Sequence, residues 1–78
     1  MNNLQKIRKE RGLTRKALSV ISGIPEKSLE NLEYGRRAID GTKLDTLCSL
    51  AIALDVSIYD LLESENLKEK FKITLKNK

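Results

Sequence analysis

The sequence predicts an all-α fold, a compact bundle of five short helices followed by a short C-terminal tail or strand. Three observations carry this. Gly12, Gly23 and Gly35 each follow a stretch with helical apolar spacing. The segment from about Thr42 to Leu54 is rich in Leu and Ala, as a central helix requires. Ser57-Ile-Tyr-Asp60 has the form of a capping box, which opens a helix.

The elements follow in order. Leu4, Ile7 and Arg11 share one face of the first helix, and Gly12 suits the left-handed position that ends it. Thr14 is a good N-cap for the second, with Ala17, Leu18 and Ile21 on its inner face and Gly23 at its close. Val20 falls away from that face, either partly buried against the fourth helix or part of a contact surface. Pro25 stands at the first position of the third helix, Leu29 and Leu32 form its inner pair, and Gly35 closes it. The loop RRAIDGTK has one buried candidate, Ile39. The fourth helix carries Leu44, Leu47, Leu50, Ala51 and Leu54, with Cys48 read as core, and Asp55 takes the turn. A short fifth helix turns Ile58, Leu61 and Leu62 inward. Residues 1–64 thus form one domain and residues 65–78 a basic appendage. There Phe71, Ile73 and Leu75 alternate with polar residues, a period of two that suits a strand or dimer contact as well as a frayed tail.

Composition narrows the function classes. The chain has 78 residues, one cysteine and no histidine. An intrachain disulfide and a Cys/His zinc site are both excluded. No Ser or Cys stands beside a base, and there is no glycine-rich phosphate loop, so no catalytic residues are assigned and an enzyme is not expected. No metal or small-molecule cofactor is expected either. No run approaches a membrane helix in length, and MNNLQKIRKERG lacks the apolar segment of a secretory signal, so a cytoplasmic setting with no membrane partner is expected.

The charge is unevenly distributed. Residues 1–43 hold ten Lys/Arg against five Asp/Glu, whereas residues 44–64 hold no Lys/Arg and four Asp/Glu. A basic front and an acidic back suit a protein whose front faces an anion.

The second and third helices are joined so tightly that they must cross steeply, with the small Ser19 at the crossing and Leu18, Ile24, Leu29 and Leu32 supplying contacts. That is the spacing of a helix-turn-helix. RGLTRKALSVISGIPEKSLENLEYGRR, followed by LDTLCSLAIALDVSIYDLL, resembles the phage-repressor/Cro-type (XRE) helix-turn-helix family over roughly residues 3–64. The resemblance implies a lambda-repressor-like domain and a sequence-specific, DNA-binding transcriptional regulator, a repressor acting as a homodimer on double-stranded DNA. It makes the helix at 25–34 the recognition helix in the major groove. Its first turn and outward face hold Glu26, Lys27, Ser28, Glu30 and Asn31, of which Glu26, Lys27 and Asn31 would meet base edges. Arg15 would reach a phosphate. Tyr34, Arg36 and Arg37 would clamp the backbone on the other side, with Lys43 beside them. Arg8 and Glu33 fall where family members often form a buried ion pair.

The chain departs from the family pattern in having Arg15 where Gln is common, Pro25 where a Ser or Thr cap is common, and two carboxylates, Glu26 and Glu30, on the face that meets DNA. Those carboxylates leave a second reading open, a protein-interaction module on the same fold, antitoxin-like or partner-binding, with weak or no DNA binding.

Overall fold

The computed structural model describes residues 2–64 and 67–70. Among residues 2–64 five α-helices follow one another: α1 (Asn3–Glu10), α2 (Arg15–Ser22), α3 (Glu26–Glu33), α4 (Leu44–Leu54) and α5 (Ile58–Leu61). Helix α2 packs on both α3 and α4, while α1 bridges α3 and α5. Leu4, Leu18, Leu29, Leu32, Leu50, Leu54 and Leu61 are almost completely removed from water, so every helix contributes to one core.

The helix boundaries follow local chemistry. The Thr14 hydroxyl accepts the Ala17 N–H at 3.0 Å and opens α2. Gly23 closes it at φ 76°, a conformation that a side chain would strain. Asp55 closes α4 at φ 56°, tolerable for a residue with a short polar side chain. Both bonds of the Ser57–Asp60 capping box are present, each 3.1 Å long. Pro25 sits one position earlier than expected. It caps α3 with extended backbone, and its carbonyl accepts the first helical bond from Leu29 N–H at 3.1 Å.

Long side chains then tie the helix ends together. Asn2 accepts from Gln5 N–H at 3.0 Å and donates to the Leu32 carbonyl at 2.7 Å, joining the start of α1 to the end of α3. Arg11 donates from Nε to the Leu54 carbonyl at 2.9 Å, placing a cation on the negative end of α4.

Several apolar placements differ from expectation. Ile21 is 57% exposed rather than inward. At 100° per residue it lies about 60° round α2 from Leu18, on the side away from the half-buried Ser22 and Arg15. Val20 is 78% exposed, so it is not buried against α4. Leu44 is also exposed, at the first position of α4, and Cys48 is half-buried on that helix rather than in the core. Ile39 is buried, as the loop pattern indicated.

Of the tail or strand expected over 65–78, residues 67–70 are described, and they are helical. Asp40 accepts the N–H groups of Glu63 and Ser64 at 2.8 Å each, and the Ser64 hydroxyl accepts Leu67 N–H at 3.2 Å, which caps the new turn. The alternating Phe71, Ile73 and Leu75 lie outside the described residues. No described helix is long and apolar enough to cross a membrane.

Candidate nucleic-acid interface

Two faces define α3. Leu29, Leu32 and Glu33 point into the protein, while Glu26 and Lys27 are exposed and Ser28, Glu30 and Asn31 half-buried. The α2–α3 joint holds this geometry. The Ser19 hydroxyl donates to the Ile24 carbonyl at 2.5 Å, and the Ser22 hydroxyl accepts Ile24 N–H at 3.2 Å. A small residue at position 19 therefore serves as a clasp as well as a spacer. Glu26 lies in the first turn of α3, where its charge complements the positive helix end.

The end of α3 is anchored from within. Arg8 donates from Nε to Glu33 Oε2 at 2.6 Å and from Nη2 to Oε1 at 3.0 Å, a buried fork that joins α1 to α3. This is the ion pair that the resemblance implied. Glu33 also serves Arg15, whose Nε lies 3.3 Å from Oε1 without forming a hydrogen bond. Arg15, expected as a phosphate anchor, is thus partly held by the body of the protein.

Five of the expected contact residues, Arg15, Lys27, Asn31, Tyr34 and Arg36, meet in one cluster. Arg15 Nη2 donates to the Tyr34 hydroxyl at 3.1 Å, and the guanidinium groups of Arg15 and Arg36 each lie 5.2 Å from the Tyr34 ring centroid. Contact with Tyr34, its hydroxyl first, raises the already high pKa of Arg15. Arg36 Nη1 donates to Glu30 Oε1 at 3.2 Å and to Asn31 Oδ1 at 3.3 Å. Lys27 Nζ is 3.6 Å from Glu30 Oε1, and Arg15 Nη1 is 3.8 Å from Oε2. Glu30 therefore meets three of the cations expected to face DNA. The Arg36 hydrogen bond, followed by the charge of Lys27, holds its carboxyl below the usual carboxylate range, so it stays ionised at neutral pH.

Arg37 lies apart from this cluster. Its N–H donates to the Asn31 carbonyl at 3.2 Å, and its side chain borders a cleft of about 610 Å³ between the starts of α3 and α4. Pro25, Ser28, Lys43 and Thr46 line the same cleft, which brings Lys43 beside the start of α3.

Sequence reasoning missed the hub role of Glu30. The Lys27–Glu30 spacing of three was visible as a helical pair, but the approach of Arg15 and Arg36 depends on how α2 and the α3–α4 loop fold back. Among the described residues no group of His, Cys, Asp or Glu could hold a metal ion.

The sequence model of the Cro/C1-type HTH DNA-binding domain matches residues 3–66. No significant match to the chain was found among curated proteins or solved structures.

Proposed function

The chain belongs to the Cro/C1-type helix-turn-helix DNA-binding family, and from that premise we propose that it is a sequence-specific transcriptional repressor of the cytoplasm that acts as a homodimer. The observation that supports this most is the two-faced α3, which buries Leu29 and Leu32 while presenting Lys27 and Asn31 outward. On this reading Glu26, Lys27 and Asn31 read base edges, with Ser28 beside them. Arg15, Tyr34, Arg36 and Arg37 hold phosphates. Dimerisation follows from reach. The eight residues of α3 span about 12 Å, or three to four base pairs, too few to specify a site alone. Two copies on inverted half-sites one helical turn apart double the sequence that is read.

The test is selection from random-sequence duplex DNA, followed by sequencing of the retained fraction. Enrichment of two inverted half-sites is the expected result. Retention without enrichment overturns sequence-specific reading. No retention even at low salt assigns the fold to protein interaction instead.

Arg37 gives a second expectation. It is exposed and meets no carboxylate among the described residues, so its charge is free for phosphate. Changing Arg37 to Ala should weaken binding to all duplexes alike and reduce the slope of log affinity against log salt by about 1. A change confined to one sequence would instead make Arg37 a base reader.

A further inference from the structure

Glu30 holds the least expected position in the interface. A carboxylate on a DNA-facing helix should repel phosphate, yet this one sits among Arg15, Lys27 and Arg36 at 3.8, 3.6 and 3.2 Å. Each of these residues comes from a different part of the fold: the start of α2, α3 itself and the loop after α3. Arg15 and Arg36 also share the Tyr34 ring, so the carboxylate and the ring hold both guanidinium groups together. The Glu30 side chain keeps 29% of its accessibility and therefore remains reachable from outside.

We propose that Glu30 is a specificity-determining residue: it competes with DNA for Arg15, Lys27 and Arg36, and releases them where a base amino group takes their place on its carboxylate. This rests on the reading of α3 as the DNA-facing helix and adds a filter to it. Ion pairs that stay open to solvent, as those of Glu30 with Lys27 and Arg36 do, are weak and exchange readily, as a competitive device requires. On an unselected duplex the cations remain shared with Glu30, so phosphate attraction is reduced. On a matching site a cytosine N4 amino group donates to the freed carboxylate, Arg15 and Arg36 turn to the backbone, and Lys27 is free to meet a base edge. Discrimination then arises largely from weaker binding to wrong sequences.

The experiment compares the wild type with Glu30→Gln, Glu30→Ala and Glu10→Gln. Glu10→Gln makes the same charge change on the exposed end of α1, beside Arg11, Val56 and Asp60. Each protein is titrated with random-sequence duplex at several salt concentrations, and each is put through the same selection. Both Glu30 variants are expected to bind random duplex about tenfold more tightly than Glu10→Gln at low salt, with a slope steeper by about 1. They are also expected to lose the preference for cytosine at one position of each half-site. If they bind random duplex no more tightly than Glu10→Gln while the wild type still enriches a site, the filter is overturned and the DNA reading stands. Opposite effects in the Gln and Ala variants also overturn it, because loss of the charge is common to both. If no protein retains any duplex, the DNA reading and the filter fail together.

Discussion

Replacing Glu33 with Ala is expected to cost about 3–5 kcal/mol of folding stability, the range for breaking a buried ion pair from one side. The Glu33 side chain is completely buried, and Arg8 retains only 8% of its side-chain accessibility. Without the carboxylate, Arg8 Nε and Nη2 lose their acceptors, and only the bond from Nη1 to the Leu13 carbonyl at 2.8 Å remains. Arg15 Nε, already buried without a hydrogen bond, loses the neighbouring charge as well. A domain of 78 residues has roughly 4–12 kcal/mol in total, so the variant should be close to unfolding. Urea titration followed by far-UV circular dichroism checks this. A loss below about 1 kcal/mol would show that the fork contributes little.

The same residues offer a sharper comparison. Replacing Arg8 and Glu33 together with Met and Leu removes both charges and keeps apolar volume. Such pairs often equal or exceed the stability of the ions they replace. The double variant should therefore recover most of what Glu33→Ala loses. Recovery would show that the loss comes from an abandoned arginine and not from any large net contribution of the pair. The pair would then matter mainly for orientation, since it fixes the end of α3 against α1 and so sets the angle of the proposed reading face.

Most of the helical framework was legible because its signals are local. Gly12, Gly23 and Gly35 adopt the positive φ that their places after helical stretches demanded. Thr14 and the Ser57–Asp60 box form bonds within three residues of themselves, so no tertiary knowledge was needed. Leu18, Leu29, Leu32, Leu47, Leu50 and Leu54 followed from spacing because a leucine stripe has one favourable place to go. Ile21 misled because spacing identifies the apolar residues of a helix but not which edge of the stripe its neighbours cover. The helical turn at 67–70 was hidden for a related reason. Its cap, Ser64, is held by Asp40 from 24 residues away. Within the interface, the positions of Lys27 and Asn31 on the outer face of α3 follow from helical periodicity. The meeting of Arg15, Arg36 and Glu30 depends on three separate backbone segments, and no one-dimensional pattern encodes that.

Changing Asn31 to Ala is expected to cost about 1–3 kcal/mol at a matching site, or about 5- to 150-fold in affinity, and to relax the preference for adenine at one position of each half-site. On the proposed reading, the side chain is prepared for this by a neighbour. Arg36 Nη1 donates to Asn31 Oδ1 at 3.3 Å, which orients the amide and uses one of the oxygen's two lone pairs. The second lone pair and both amide hydrogens remain for a base, enough to accept from adenine N6 and donate to N7. On that reading Asn31 has two separable roles, one toward the base and one toward Arg36. Asn31→Asp distinguishes them, because Asp keeps the acceptor for Arg36 but cannot donate to N7. If Asn31 reads adenine, both variants lose that preference, and selection from random duplexes shows it directly. If Asp preserves the preference while Ala abolishes it, Asn31 acts by positioning Arg36 and the reader at that base pair is another residue. Unchanged preference in both variants would remove Asn31 from the reading set. Lys27 would then be the base-reading candidate best supported by exposure, since its side chain keeps 72% of its accessibility and its contact with Glu30 is exchangeable.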